Sequence, residues 1–442
     1  MNTHPILNTT SSSLLPTNHP DRVVLANEVH ARPPEALETP SRISYVAVLI
    51  ERDQRDRETM HLRDLCESLE VTPPAPEATH FSADFRNFRF KWERHGEFSA
   101  YTFVTSGSSP EPYSEPPILD LPVGWLRDIP GRTLFAAHVK LISVGVTPPD
   151  STFLAPYFGD SLVVGAEIGG GAGFAYTDFI LREDGFGRFL VLDRSFTPRQ
   201  AGRMVQRLLE IETYRMLSLL ALPLARTLWL QMADDERALT ELTSALASPG
   251  AADEALLQRL TRLSAEIQGA VTRTQFRFDA CRAYHELVQT RIAELREQRV
   301  AGIQPIGEFM SRRFSPAVAT CASTAKRLRD LADRVGQASA LLSTRVDIVR
   351  ERQNQLLLES MNLRAERQFL LQQTIEGLSV AAIVYYVVGL VGYSAKALKS
   401  AGLHIDPEIT VGLAIPLIAV LCLLALRRTH RKLEGLGAGG HD

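Results

Sequence analysis

Cysteine is scarce in this chain of 442 residues, which has only four. No two of them have the C-x-x-C spacing of a zinc or redox site, and they lie far apart at Cys66, Cys281, Cys321 and Cys422. This distribution excludes a disulfide framework of the kind that stabilises small secreted proteins. It is typical of a protein in a reducing compartment whose thiols are buried or idle.

The sequence also lacks a surplus of one charge, since 48 Lys and Arg balance 51 Asp and Glu. A nucleic-acid-binding protein usually carries a basic surplus, so we expect no nucleic-acid partner. Walker A, G-x-S-x-G, H-E-x-x-H and protein-kinase motifs are missing as well. The glycine-rich run at 169–173 lies between strand-like segments and indicates a hairpin turn. We therefore predict that the chain is not an enzyme, with no evident cofactor apart from a possible divalent cation.

The N-terminal part indicates a leader followed by an α+β domain. Residues 1–19 lack a basic and apolar signal-peptide pattern and are rich in Ser, Thr, Asn and Pro, so we expect a disordered leader. Residues 20–195 mix both periodicities, which predicts an α+β cytoplasmic head domain with a mixed or antiparallel sheet. We expect strands at 43–50, 133–144 and 161–168, a helix at 55–70, and hairpins at 85–106 and 178–193.

Strand patterns stop after residue 195. Thr197 followed by Pro198 is a typical helix start. Apolar residues then recur with three-four spacing over 253–298, and again from 316 to 363. Sustained patterns of this kind predict a helical bundle or coiled-coil stalk over residues 196–376. The apolar run at 216–225 is too short to span a bilayer, and we expect it to be a buried helix kinked at Pro223.

Long apolar runs occur only near the C-terminus. Residues 377–395 and 409–426 carry no charge, and each is long enough to cross a hydrocarbon core of roughly 30 Å. They predict transmembrane helices 1 and 2, joined by a periplasmic loop at 396–408 and followed by a basic cytoplasmic tail at 427–442. The alternative is a buried helical hairpin.

The flanking charges predict the orientation of this hairpin. Its loop contains two basic residues, Lys396 and Lys399, whereas six lie outside it: Arg364, Arg367, Arg427, Arg428, Arg431 and Lys432. Basic flanks stay on the cytoplasmic side. We therefore expect a two-pass protein of the bacterial inner membrane, with both termini in the cytoplasm and the lipid bilayer as a partner.

Six segments resemble one known family. They are LANEVHARPPEAL (25–37), FKWERHGEFSAYTF (90–103), LPVGWLRDIPG (121–131), AGRMVQRLLEIETYRMLSLLALP (201–223), SRRFSPAVATC (311–321) and GLSVAAIVYYVVGLVGYSAKAL (377–398). Together they resemble a proteobacterial family of uncharacterised membrane-anchored proteins, domain of unknown function 3422. The resemblance implies a membrane anchor and no established activity.

The architecture also resembles that of CorA-type divalent-cation channels. Those channels combine a cytoplasmic α/β domain, a long stalk helix that enters the first span, a short outer loop, a second span and a basic end. This chain has Gly392, Tyr393 and Ser394 where they carry a Gly-Met-Asn signature. The Met and Asn are missing, so topology is the main support for this likeness.

Two polar clusters in the head domain are candidate sites. Glu93, His95 and Glu97 alternate, so on a strand they would share a face and could bind a divalent cation. The alternative is a solvated strand face or turn. Four residues that follow the leader could bind a ligand or form a capped loop: Asn27, Glu28, His30 and Arg32.

The predicted first span contains few polar or small residues, and these are candidates for lining a pore or contacting another helix: Ser379, Tyr385, Tyr386, Gly389, Gly392 and Tyr393. Asp406 and Glu408 of the outer loop could concentrate cations at a pore mouth. They could instead begin the second span, with Asp406 as its cap and Pro407 in its first turn.

Three functions are compatible with these features. The first is a membrane-anchored scaffold or sensor that forms a homo-oligomer through its stalk and spans. The second is a CorA-like divalent-cation channel or transporter whose first span lines the pore. The third is a ligand- or metal-binding sensor or enzyme that uses the His and Glu clusters of the head domain.

Overall fold

The computed structural model describes residues 17–28, 33–145, 149–246, 253–400 and 406–437. The chain divides into two compact units, Met1–Ser339 and Ala340–Asp442. The first unit contains a sheet and several helices, and the described part of the second is helical. A sheet region in the N-terminal half that is followed by long helices confirms that part of the predicted fold class.

Eight strands and four helices form the sheet region of the described chain. They are α1 (Arg22–Glu28), β1 (Ser41–Leu49), α2 (Arg55–Ser68), β2 (His80–Asp84), β3 (Arg89–Arg94), β4 (Phe98–Ser106), β5 (Arg132–Ser143), α3 (Ser151–Phe158), β6 (Val164–Ile168), β7 (Gly173–Thr177), β8 (Gly187–Asp193) and α4 (Pro198–Leu219). Short 3-10 helices occur at Arg52–Gln54 and Pro117–Asp120.

The strands form one mixed sheet in the order β2-β3-β4-β1-β5-β8-β7-β6. The β5–β8 pair is parallel, and the other pairs are antiparallel. Within the predicted hairpin at 178–193 the chain turns at Asp184–Gly185, where Asp184 Oδ1 accepts a hydrogen bond from the Phe186 N–H at 3.0 Å. The residues before it are not a strand, however, and β8 pairs with β7 instead.

Both faces of the sheet are apolar and both are covered. Alternate residues of β1 point to opposite faces, so Ile43 and Tyr45 join one core and Val46 and Val48 join another. The first core is closed by α4. The second is closed by α2 and by the loop that carries Trp125. The sheet is therefore the middle layer of three.

Helix α4 begins where the sequence predicts. The Thr197 hydroxyl accepts a hydrogen bond from the Gln200 N–H at 3.3 Å, and Pro198 occupies the first turn. Its buried side chains include Met204, Leu208 and Leu217, which lie in the same core as β1 and β5. The amphipathic face of α4 is thus covered by the sheet. The expected boundary at residues 195–196 is not a boundary between compact units.

The remaining helices of the chain are long. They are α5 (Ala221–Leu246), α6 (Asp253–Leu295), α7 (Ile306–Arg313), α8 (Ser315–Ser400) and α9 (Pro407–Gly437). The expected kink at Pro223 is replaced by a helix boundary at Leu220, between α4 and α5, three residues earlier. Helix α8 is linked to α5 by Arg327, whose guanidinium lies 2.6 Å from the Glu236 carboxylate. The three-four spacing of the sequence thus correctly predicts α6 and α8.

We expect Gly202→Ala to destabilise the first unit. A Cβ atom at Gly202 in α4 would lie 1.6 Å from the backbone oxygen of Glu35, because the segment before β1 crosses the helix at this point. Such overpacking costs about 1–3 kcal/mol. The matched control is Gly336→Ala in α8, where a Cβ would meet nothing within 4 Å. The control should gain about 0.5–1 kcal/mol. Urea unfolding of both variants measures the difference, and equal effects would contradict this packing.

Candidate functional site

The polar cluster after the leader has no described geometry. Asn27 and Glu28 end α1, but their side chains are outside what the structure describes. His30 and Arg32 fall between the described ranges 17–28 and 33–145. This ligand-binding hypothesis stays a prediction.

The structure separates Glu93, His95 and Glu97. Only Glu93 lies in a strand, β3, where its buried carboxylate is 2.9 Å from the ammonium of Lys91. His95 lies in the turn to β4, and its ring stacks on Phe98 at 4.3 Å between centroids. The one-face argument does not hold, because the chain reverses at His95–Gly96.

Glu97 connects the β3–β4 turn to helix α6. Its carboxylate pairs with the guanidinium of Arg277 and accepts a hydrogen bond from the Tyr284 hydroxyl at 3.0 Å. Burial, together with the negative charge of Glu97, raises the pKa of Tyr284. Within the described ranges, no three His, Cys, Asp or Glu side chains lie close enough together to hold a metal ion. The Glu93–Glu97 segment therefore supplies a packing contact.

A buried carboxylate that the sequence analysis did not single out lies nearby. Glu58 of α2 is fully buried and accepts hydrogen bonds at one oxygen from Trp92 Nε1 at 2.9 Å and Tyr101 Oη at 2.8 Å. Its other oxygen accepts a hydrogen bond from Arg94 Nη2 at 2.8 Å. Burial, then the negative charge of Glu58, raises the pKa of Tyr101. This satisfied network fixes α2 on the sheet. Its only signal in the sequence is that Glu58 shares the helix face of Leu62 and Leu65.

Besides this network, a buried polar pair joins two central strands. Ser44 Oγ of β1 lies 2.9 Å from His138 Nδ1 of β5, and the imidazole stacks on Phe186 at 4.1 Å. Burial, then the positive charge of Arg188, lowers the pKa of His138 to about 3. A serine beside a histidine is the arrangement of an activated nucleophile. Both side chains are buried here, so the pair fits a structural hydrogen bond better than a catalytic one.

The two segments predicted to be spans lie in the second unit. By length and composition, three helical stretches of the described chain are apolar enough to cross a membrane, rather than the two expected: Pro198–Leu246, a part of Ile306–Ser400, and Pro407–Ala425. The most apolar window of the first is 33% buried, and it contributes Leu217 and Leu228 to the protein core. Nothing in the windows of the other two is buried.

Helices α8 and α9 approach each other at Gly392. A Cβ atom there would lie 3.2 Å from Val411 Cγ2, whereas one at Gly389 would meet nothing within 4 Å. A groove of about 1110 Å³ is lined by both helices, including Tyr385 and Glu408. The Ser379 hydroxyl donates to the Ile375 carbonyl of its own helix at 2.9 Å. Of the predicted contact residues, Gly392 comes closest to α9, and Tyr385, Tyr386, Gly389 and Tyr393 also line the groove.

Tyr386 and Tyr393 remain highly exposed, at 71% and 75%. Together with Ser379 they occur at intervals of seven residues, so the three share one face of α8. Tyr385 is exposed as well, and its ring packs against that of Tyr386 at 5.8 Å. The described hairpin therefore leaves a polar stripe on α8 uncovered.

Asp406 acts as the cap of α9. Its Oδ1 accepts a hydrogen bond from the Glu408 N–H at 3.1 Å, and its carbonyl accepts one from the Thr410 hydroxyl at 2.9 Å. Pro407 is the first residue of the helix, and Glu408 lies in its first turn. This confirms the helix-start interpretation of the two acids.

We expect the buried His138 to make the free energy of unfolding decrease as the pH is lowered. Its pKa is about 3 in the folded chain, below the ordinary 6.5, so the unfolded chain binds a proton first as the pH drops. Stability is unaffected above about pH 6.5 and decreases below it, by about 2 kcal/mol at about pH 5. His138→Gln should remove this decrement. Urea unfolding of wild type and His138→Gln at about pH 6.5 and about pH 5 measures this decrease. An equal pH dependence in the two proteins would contradict the role given to His138.

Comparison with known proteins gives a family and nothing closer. Neither a protein of curated function nor a solved structure matches the chain. One family model does match, over residues 17–433, which includes both the sheet and the two apolar helices. The chain therefore belongs to the family described as Protein of unknown function (DUF3422).

Proposed function

We propose that this chain is a membrane-anchored protein whose first unit works as a scaffold or sensor in the cytoplasm of a bacterium. The hairpin of α8 and α9 would be the anchor, crossing the inner membrane at 377–395 and 409–426. The observation that carries the proposal is the exposed apolar surface of these two helices, of which the most apolar windows have no buried residue.

The composition of that surface supports lipid as its cover. Leu378, Leu390 and Leu417 are each more than 60% exposed, and no charged residue interrupts either stretch. Soluble monomers rarely expose contiguous apolar patches larger than a few hundred Å². A helix that is apolar all round is typical of a membrane span. The stretch at 198–246 differs, since α4 is amphipathic and contributes to the core.

The charges around the hairpin support the orientation. Arg364 and Arg367 precede the first span, and Arg427 and Arg428 follow the second. The connection carries two lysines, Lys396 and Lys399, against Asp406 and Glu408. Basic residues are retained on the cytoplasmic side. Both ends of the chain are therefore assigned to the cytoplasm.

The polar stripe of Ser379, Tyr386 and Tyr393 favours self-association of the anchor. In lipid, a Tyr hydroxyl near the middle of a span needs a hydrogen-bond partner. A second copy of α8 offers the same three hydroxyls. The stripe is accordingly the surface on which a homo-oligomer would form.

The same stripe favours a second candidate, a divalent-cation channel of the CorA kind with α8 around a pore. Asp406 and Glu408 lie at the end of α9 that would face the outside. No Asp, Glu, Lys, Arg or His occurs within either apolar stretch. The pore face would therefore consist of hydroxyls and backbone. The enzyme or metal-sensor hypothesis has less support, since Glu93 and Glu97 have separate cationic partners.

We expect Leu417→Arg to reduce membrane insertion. Leu417 lies at the middle of the apolar part of α9 and is 65% exposed. An arginine there costs about 2.5–3.5 kcal/mol of insertion free energy. Leu341→Arg is the matched control, because Leu341 is 74% exposed but lies outside the apolar stretches. The measurement is the fraction of chain that stays in the membrane pellet after alkaline carbonate extraction. If wild type is released like a soluble protein, the anchor does not exist.

Oligomer size and ion flux separate the two candidates. A scaffold should conduct no Mg²⁺ or Co²⁺ in reconstituted vesicles, whatever its oligomeric state. A channel should conduct, and Tyr386→Phe with Tyr393→Phe should change its rate without changing the oligomer measured by light scattering. Gly392 is a poor probe of a pore, because it faces Val411. Flux that is unaffected by both Tyr variants would exclude a pore on this face, and a monomer would exclude both the oligomer and the channel.

A further inference from the structure

A basic groove opens in the first unit, away from the residues discussed above. Its volume is about 450 Å³, within the range of small-molecule sites. It lies between the start of α4, the end of α6 and the glycine-rich β6–β7 turn. The lining residues are Gly169, Gln200, Arg203, Met204, Arg207, Thr290, Ala293, Glu294 and Arg296. Only two of them, Met204 and Ala293, have apolar side chains, so the groove suits a polar ligand.

Three arginines converge on this groove from two elements. Arg203 and Arg207 lie one turn apart on α4, and Arg296 directly follows α6. Arg203 and Arg296 are exposed. One carboxylate opposes the three guanidinium groups, that of Glu294, and it already pairs with Arg207 at 3.0 Å and with Arg291 at 3.0 Å. The lining therefore has a net positive charge.

The backbone around the groove also favours an anion. The free carbonyls at the end of α6 would repel an anion, but two of them already accept hydrogen bonds. The Leu295 carbonyl accepts from the Gly169 N–H at 2.8 Å, and the Glu294 carbonyl accepts from Arg207 Nη1 at 3.2 Å. The first turns of α4 place the positive end of its dipole on the same side. Gln200 Nε2 holds the β6–β7 turn in place by donating to the Gly169 carbonyl at 3.2 Å.

Arg296 has an unusual backbone for its residue type. Its φ angle is +53°, in the left-handed region that favours glycine at the position after a helix. An arginine in this conformation is strained relative to glycine, and such strain clusters at ligand sites. Glycine at position 296 would suffice to end α6, so the helix end does not itself require the arginine side chain.

We propose that this groove binds a small molecule carrying a phosphate or pyrophosphate group. Planar guanidinium groups bind phosphate oxygens with two parallel hydrogen bonds, and three of them match a ligand with at least two negative charges. Arg203 and Arg296 contact the phosphate, and Arg207 positions Glu294 while contributing charge. This site goes beyond the membrane anchor and does not depend on it.

The test is calorimetric titration of the purified full chain with pyrophosphate. Arg203→Ala and Arg296→Gly should each weaken binding by on the order of tenfold, since each removes a charge-assisted contact. Arg296→Gly keeps the left-handed backbone, so its melting temperature should not fall. Arg259→Ala, an exposed arginine elsewhere on α6, is the matched control and should bind like wild type.

Two probes distinguish the source of the phosphate. Tighter binding of pyrophosphate than of dihexanoyl phosphatidic acid would indicate a soluble metabolite, and the reverse order would indicate a lipid headgroup. Either result supports the proposal, provided that Arg296→Gly weakens the binding of the tighter probe. The proposal would be overturned if neither probe bound measurably, or if Arg203→Ala and Arg296→Gly bound with the affinity of wild type. If Arg203→Ala proves to be unfolded, the affinity of Arg296→Gly alone tests the proposal.

Discussion

Covering apolar surface is the constraint on which this structure depends. The central strands are buried on both faces, so the sheet must have a helical layer on each side. Helix α2 supplies one cover and is fixed by the buried Glu58 network. Helix α4 supplies the other, and Gly202 lets the segment before β1 cross that helix closely. The later helices extend this second layer, because α6 contributes Val288 and Leu295 to the same core.

The same constraint has a different solution in the second unit. There the apolar stretches of α8 and α9 contact each other near Gly392, yet most of their large side chains remain exposed. Burial in protein covers the apolar face of α4, and a bilayer is the medium that would cover α8 and α9. Mean hydropathy does not separate the two cases, since all three stretches are apolar enough to span, whereas the uncharged run of the first is only ten residues long, at 216–225. Packing separates them: α4 has a sheet beside it.

Local patterns account for most of the fold that the sequence predicts. Strand-like runs predicted β1, β5 and the β3–β4 hairpin, while helical spacing predicted α2, α6 and α8. Short β2 was missed, whereas β6 and β7 flank the glycine-rich run at 169–173 that the sequence correctly marks as a hairpin turn. The boundary after residue 195 was placed by a change of pattern, although the change marks a new layer of the same unit.

The site residues were harder to predict, because their partners are distant in sequence. Glu97 meets Arg277, 180 residues later, and no local spacing indicates this pair. Likewise, Arg203 and Arg296 belong to different helical segments and meet only through the fold. The cap at Asp406 was predictable, since a helix start is a local pattern. The side chains of one predicted ligand cluster lie outside the described residues: Asn27, Glu28, His30 and Arg32.

The account rests on two spans with both ends in the cytoplasm, and cysteine labelling tests this most directly. In a Cys422→Ser background, Ser400→Cys would place a thiol at the end of α8, and Ser151→Cys would place one on the exposed start of α3. A maleimide that cannot cross the inner membrane should label Ser400→Cys in intact cells and Ser151→Cys only after lysis. Labelling of both only after lysis, or of Ser151→Cys in intact cells, would contradict the account.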